Sequence, residues 1–538
     1  MPRSAPSSKV LPSRPLRLAG GAGVALTIAA LIVLVLWSIA AAAAIEPASA
    51  RTAIDVPHLL AMTATQAGLT TVLSLLVGTA LAWALNRLRF PGRDLVVGLF
   101  ASAIVTPGIV VAFGLLAVWG RSGWINALWQ AAFGSPLNLN IFGLGGILAA
   151  HLILDGAFAA RILLTRLDTI PTARLKTGQS LALTAWQRFA VIDWPAIRGT
   201  LPGLGAIIFL LAFTSFPVVL LLGGGPANQT LEVAIYTAVR LDFDLYGAVV
   251  LALVQIGVCA SVVLAAAAFA PLPPSLGPSR GQRWSDAGPA RFAQWLVLVL
   301  SILGFALPLA AILVDGFGSG LAALLQRPAF WRSVGTSLVI ATLSAALTLL
   351  LALGLCLGRA ATGNRPLRTG IAAPSYAYLA VPAVVLALGF FLLVRSLGID
   401  PTLAAPAVIV LANALLALPF AVATLGPPLD AISTSRGRLI RSLGLSGLRQ
   451  FTHIEWPLIG REAGVVLALA FCFSLGDLGV IALFGTQDFA TLPLLMVRAL
   501  GAYRTNDAAA IAALMLCLTI FAFVAIPRLF GSSANARA

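Results

Sequence analysis

Two carboxylates stand where a charge is expensive. Asp155 and Asp477 each lie well inside long apolar runs, and an acid kept in such surroundings marks a solute path or a polar contact between helices. Asp477 is flanked by Gly476 and Gly479, which predicts a break in its helix and an acid facing a cavity; the plainer alternative is a partner to that backbone break. Asp155, four residues after His151, reads first as a structural contact between helices. Enzymatic chemistry finds no foothold. The lysines are Lys9 and Lys176, neither in a GxxxxGK[ST] string, so the chain has no Walker phosphate loop. His58, His151 and His453 are scattered, and Cys259, Cys356, Cys472 and Cys517 sit in apolar runs without CxxC spacing, as small apolar fillers. No catalytic residue, metal site or cofactor is expected.

The elements that position these acids must be membrane helices. Of 538 residues 60% are hydrophobic and only 10% charged, against roughly 25% in soluble domains. The mean hydropathy is +1.00, more apolar surface than a globular core can bury, so the lipid bilayer is the solvent. Helices satisfy their own backbone in hydrocarbon, and about 20 residues cross it. Twelve apolar runs qualify, near 18–44, 63–86, 95–119, 141–164, 200–222, 246–270, 293–315, 334–357, 371–394, 402–425, 463–484 and 507–528. With both termini cytosolic, 26 of the 34 basic residues fall on the cytosolic side, so the net charge of +16 reports topology and no nucleic-acid partner is needed. The basic leader (Arg3, Lys9, Arg14, Arg17) precedes an apolar stretch too long for a cleavable signal, which predicts a retained first helix. Gly223-Gly224-Gly225 reads as the stop of the fifth span. Tyr236, Asp242, Asp244, Tyr246 and Tyr503 fall outside and suit an outer gate or docking surface, although interfacial tyrosines also serve as anchors.

The chain is duplicated. Leu167–Ile197 superposes on Leu429–Ile459 at a constant offset of 262, with 13 of 31 positions identical, including Asp168/Asp430, Arg174/Arg436, Phe189/Phe451, Trp194/Trp456 and Pro195/Pro457. Six spans separate equivalent points, so both halves insert the same way up, with a pathway expected between them. The divisions are a basic terminus (1–17), a first half (18–270, loop 167–198), a linker (271–292) and a second half (293–538, loop 429–461). In each loop Ala182, Ala185, Trp186 and Phe189, or Gly444, Gly447, Leu448 and Phe451, recur at i, i+3, i+4 and i+7 and predict a short amphipathic helix with a slim apolar stripe. Arg174, Lys176 and Arg188 in the first loop, and Arg436, Arg438, Arg441 and Arg449 in the second, supply a basic face, and Trp-Pro is expected to end the element. The alternative is a helix lying in the headgroups.

The strings LALTAWQRFAVIDWP (Leu181–Pro195) and LGLSGLRQFTHIEWP (Leu443–Pro457) resemble the EAA loop of ABC-importer permeases. Ala182 replaces that motif's glycine in the first copy, and the Glu-Ala-Ala itself is absent, its positions reading Lys176-Thr177-Gly178 and Arg438-Leu439-Ile440. LGGGPANQTLEVAIYTAVRLDFDLYGA (Leu222–Ala248) and SLGDLGVIALFGTQDFATLPLLMVRALGAYRTNDAAA (Ser474–Ala510) look like the thiamine and thiamine pyrophosphate permeases, with fused ferric-iron permeases as relatives. The resemblance implies an all-α permease of the type I importer fold in the bacterial inner membrane. Its loops would dock on a dimer of separate ATPase subunits through Arg174, Ala182, Trp186, Phe189, Pro195, Arg436, Gly444, Leu448, Phe451 and Pro457. A periplasmic binding protein would deliver thiamine or its phosphates, and Asp477, Tyr236 and Asp155 would be candidates for the path of that cation. Two rivals share the span count or the loops: a secondary transporter with two six-helix halves, and a membrane scaffold without flux.

Overall fold

The computed structural model describes residues 15–45, 54–137, 139–266, 284–318 and 320–535. Arg3, Lys9 and Arg14, most of the 271–292 linker and the side chain of Arg441 lie outside the described residues. The described chain is built from helices in two sequential halves. The first begins with α1 (Pro15–Ile45), α2 (Val56–Arg87), α3 (Arg93–Ser102), α4 (Gly108–Trp119), α5 (Trp124–Phe133) and α6 (Leu144–Asp168). It continues with α7 (Thr172–Ser180), α8 (Ala185–Arg188), α9 (Trp194–Ile197), α10 (Leu201–Phe213), α11 (Pro217–Leu222), α12 (Leu231–Arg240) and α13 (Leu245–Ala266). The second half holds α14 (Gly288–Gly316), α15 (Gly320–Leu325), α16 (Pro328–Ala360), α17 (Arg365–Ala377), α18 (Ala383–Ser396) and α19 (Pro401–Ser435). It closes with α20 (Gly437–Ser442), α21 (Gly447–Gln450), α22 (Trp456–Leu475), α23 (Gly479–Phe484), α24 (Leu492–Gly501) and α25 (Thr505–Asn535).

Among the described residues ten helical segments are long and apolar enough to cross a membrane, or eleven if the pair meeting at 65° after Ile197 is one span. The sequence predicts twelve spans; the difference lies where proline or glycine interrupts a run. The expected span 95–119 is α3 and α4, which starts after Pro107, and 371–394 is α17 and α18, which starts after Pro382. Proline lacks the N–H of a continuing helix and pushes its predecessor out of helical geometry, so each break falls there. The span 200–222 divides before Pro217 and 463–484 divides at Gly476-Asp477-Leu478. The fifth span stops at Leu222 as expected, with Gly224 (φ 71°) and Gly225 (φ 129°) in backbone conformations that favour glycine.

The core of the first half is α2 against α6 and α10; that of the second is α16 against α19 and α22, with α25 on α22. The first helix of each half crosses over: α1 lies on α16, α17 and α18, and α14 lies on α2 and α4 as well as on α25. Small residues permit the α1 crossing. A Cβ on Gly21 would stand 2.5 Å from Gly358 Cα, and one on Gly358 would stand 2.6 Å from Gly21 Cα. Such backbone-to-backbone approach supplies the packing that holds helices together in lipid, where the hydrophobic effect offers nothing. Leu26, Trp37, Val72, Leu76, Leu264 and Phe521 are exposed on the outside of the bundle, as lipid-facing side chains must be. Gly358→Val is expected to force α1 off α16, lowering stability by about 1–3 kcal/mol, read as a lower melting temperature of the detergent-solubilised chain; Gly370→Val, where a Cβ meets nothing within 4 Å, is the control.

Candidate functional site

The duplicated loops fold alike, position by position. The first turns sharply at Ala182 (φ 49°) and the second at Gly444 (φ 61°). The turn is closed by Leu183 N–H donating to Gly178 O and by the equivalent Leu445 N–H donating to Ile440 O, each at 3.2 Å. Alanine therefore holds a left-handed conformation that favours glycine, because the rest of the loop requires the turn there. This corrects the expected stripe: a residue at such φ cannot lie in a right-handed helix, so Ala182 and Gly444 precede the helix. The helix itself starts at Ala185 in the first copy, whereas in the second Gly447 is also left-handed (φ 57°) and the right-handed turn follows it. In the first copy it is capped by a full capping box, with Thr184 Oγ1 accepting from Gln187 N–H and Gln187 Oε1 accepting from Thr184 N–H.

A second correction concerns Trp-Pro. The element does not end at Pro195 or Pro457. It passes through one π turn, Phe189–Asp193 or Phe451–Glu455, in which Trp194 N–H donates to Phe189 O and Trp456 N–H to Phe451 O. That register shift lets proline occupy the second position of the next helical segment, where no N–H is needed. In the second half the helix then runs unbroken to Leu475.

The expected site residues divide by exposure. Trp186 is 74% exposed and Leu448, its equivalent, 75%. Phe189 and Phe451 are half-buried, against Trp194 (centroids 6.3 Å) and Trp456 (5.7 Å). Arg174, Lys176, Arg436, Arg438 and Arg449 are exposed, and Pro195 is exposed where Pro457 is half-buried. Arg188 is not on the basic face. It is buried, donates to Asp286 and lies 4.6 Å over the Trp284 ring, so the chain just before α14 is packed on the first loop. Burial, then the Arg87 cation, pull the Arg188 guanidinium below its ordinary value.

Each loop is also tied to the bundle by an acid at equivalent positions, which the sequence pairs as Asp193/Glu455. Arg87, at the end of α2, donates to both Asp193 carboxylate oxygens at 2.5 Å, with both side chains 1% exposed. Burial pushes the Asp193 carboxyl up, and Arg87 and then Arg188 oppose that push. Glu455 pairs at 2.7 Å with Arg17 of α1, which also donates to Gly447 O at 2.9 Å. The repeated aspartates behave likewise: Asp168 accepts from Asn86 (3.1 Å), and Asp430 accepts from Arg359 (2.7 Å) and Arg368 (2.8 Å). None of these arginines announces its partner in the sequence, since each lies on a different helix.

The second focus lies between the halves, where the broken spans meet. A Cβ on Gly476 would stand 2.8 Å from Pro107 Cγ, one on Gly479 2.9 Å from Ala383 Cβ, and one on Gly108 3.2 Å from Val218 Cγ2, so the breaks in four different spans lie close together. Asp477 sits in its predicted break and caps α23, accepting from Gly479 N–H (3.1 Å) and Val480 N–H (3.2 Å). Tyr236, on α12, is half-buried against Phe216 with centroids 5.2 Å apart. Asp155 does not join them. It is buried beside His151 Nδ1 at 3.0 Å on its own helix, where a contact between helices was expected. Sequence reading missed Glu232, which is fully buried on α12, accepts from Gln255 Nε2 at 3.1 Å, and faces Val384 N–H at the start of α18. The segment reads in the sequence as an outside loop; its only cue is the spacing of Glu232, Tyr236 and Arg240.

Two fused halves, paired loops with matched exposed tips, and broken helices meeting between them mark a multi-pass permease. The comparisons particularise it. No family model matches the chain. The thiamine transport system permease protein ThiP of Salmonella typhimurium is 36% identical over 480 residues, 87% of this chain and 88% of that protein. That of Escherichia coli is 35% identical over 485 residues, 88% and 89% of the two chains. The molybdenum transport system permease protein ModB of Azotobacter vinelandii is 32% identical over 172 residues, 31% of this chain and 74% of that protein. The chain belongs to the family of thiamine transport system permeases.

Breaking the Arg87–Asp193 pair strands a buried charge. Arg87→Met is expected to destabilise the chain by about 3–5 kcal/mol, and Arg87→Met with Asp193→Leu by clearly less; denaturant or thermal unfolding of both variants checks the order.

Proposed function

We propose that the chain is the permease subunit of a binding-protein-dependent ABC importer that carries thiamine and its phosphates across the bacterial inner membrane. The permease family supports transport and not catalysis. A dimer of separate ATPase subunits takes the two loops at the cytosolic side, where both termini also lie, and a periplasmic binding protein delivers the ligand on the other.

The observation that carries the coupling role is the matched exposure of Trp186 and Leu448. Each is a large apolar side chain standing bare on a one-turn helix at the same place in both halves, ready to fill a groove on a partner. Behind each tip, Phe189 or Phe451 packs on the Trp of Trp-Pro, and Asp193 or Glu455 is anchored by arginine. The loop therefore moves with its span. ATP-driven closure of the ATPase dimer draws the loops together and parts the halves at the opposite end. There Asp477 and Tyr236 border the path and offer a carboxylate and an aromatic face to a cation.

Trp186→Ala combined with Leu448→Ala removes both tips, each worth about 2 kcal/mol as an interface anchor. In the reconstituted complex, ATP hydrolysis stimulated by thiamine-loaded binding protein is expected to fall at least tenfold. Undiminished stimulation would contradict docking through these tips.

A further inference from the structure

One face of α12 carries a graded series of groups, of which only Tyr236 has so far been given a role. Glu232, Tyr236 and Arg240 recur at i, i+4 and i+8 and so form a single stripe, about 12 Å long at 1.5 Å per residue. The stripe is turned toward the second half along its whole length. Glu232 faces the Val384 N–H at the start of α18 and feels the charge of Asp477. Tyr236 lies close enough to Arg498 of α24 to interact with it, and Arg240 Nη2 donates to Gly485 O at the end of α23, 3.0 Å away.

The two ends have opposite chemistry, and each is incompletely satisfied. At the inner end Glu232 and Gln255 are both 0% exposed; Gln255 Oε1 has no hydrogen-bond partner, and beyond Gln255 the Glu232 carboxylate meets only the Val384 N–H, with no hydrogen bond of normal geometry at Oε2. A buried carboxylate oxygen and an amide oxygen together are two acceptors waiting for a donor or a cation. At the outer end Arg240 and Arg498, one from each half, stand near enough to repel. Burial, then the Arg240 cation, lower the Arg498 guanidinium from its ordinary value. Among the described residues neither arginine makes an ion pair; their recorded partners are carbonyls, Gly485 O and Thr486 O, each at 3.0 Å. Two guanidiniums beside each other without a carboxylate form an anion site, and phosphate suits their planar forks. Tyr236, tilted at 59° against Phe216, lies between the ends and offers an aromatic ring.

We propose that this stripe of α12, completed by Arg498, is the passage site for a ligand that carries an aromatic cation at one end and a phosphate ester at the other. The cation is taken by Glu232 and Tyr236, and the phosphate by Arg240 and Arg498. In the closed arrangement described here, the ends of α18 and α23 occupy these groups; when the halves part, the ligand replaces them. The inference rests on the reading above of a permease for thiamine and its phosphates, and extends it to the named residues that take each end of the ligand.

The test is uptake of radiolabelled thiamine and thiamine pyrophosphate by proteoliposomes holding the complete complex of this chain with its ATPase and binding protein. Arg240→Gln with Arg498→Gln is expected to lower the ratio of pyrophosphate to thiamine uptake about tenfold or more, a ratio that the amount of folded protein does not affect. Glu232→Gln is expected to lower uptake of both ligands about tenfold at an unchanged ratio, with partial recovery in Glu232→Asp. An unchanged ratio in the arginine variant, or an unaltered chain that takes thiamine and refuses the pyrophosphate, would overturn the phosphate end. Full uptake by Glu232→Gln would overturn the cationic end. If the unaltered complex takes up neither ligand, the thiamine reading itself falls, and the inference with it.

Discussion

Two buried carboxylates fasten the duplicated loops to the bundle. Asp193 and Glu455 occupy equivalent positions at the ends of matching π turns, and each is held by an arginine from a helix outside its own loop. An unpaired acid there would be far more costly than the pair, so the arginine cannot let go while the loop stays packed. The two anchors are not the same. Arg87 comes from α2 of the same half, whereas Arg17 comes from α1, which has crossed to the other half. The second loop is thereby tied to the first helix of the chain, and the first loop to the residues before α14 through Arg188, Asp286 and Trp284. Crossing of the first helices thus links each loop to both halves.

The same economy shapes the centre of the bundle. Proline and glycine interrupt four spans, and the interruptions meet between the halves. Non-helical backbone is tolerated at membrane depth only where protein or a polar cavity satisfies it. Asp477 does so at one break by capping α23, and Glu232 faces another at the start of α18.

Much of this could be read from the residues. Composition and span length gave the membrane class, the offset of 262 gave the duplication, and Gly476 and Gly479 marked the break at Asp477. Local geometry was less legible. The i, i+3, i+4, i+7 pattern suggested one continuous stripe, but periodicity carries no sign of φ, and Ala182 hides a turn that Gly444 would advertise. Trp-Pro looked like a stop because a π turn leaves no sequence signature. Arg188 looked solvated, since the residues that bury it lie almost a hundred positions later. Glu232 and its neighbours were hidden because α12 is too short to register as a span.

The permease we propose moves solute only when a separate ATPase drives its loops. The direct measurement is thiamine uptake into proteoliposomes made with this chain alone, and with its ATPase and binding protein, each with and without enclosed ATP. Uptake that requires both partners and ATP, and ignores imposed proton or sodium gradients, is the predicted result. Uptake by the chain alone down an ion gradient would contradict it.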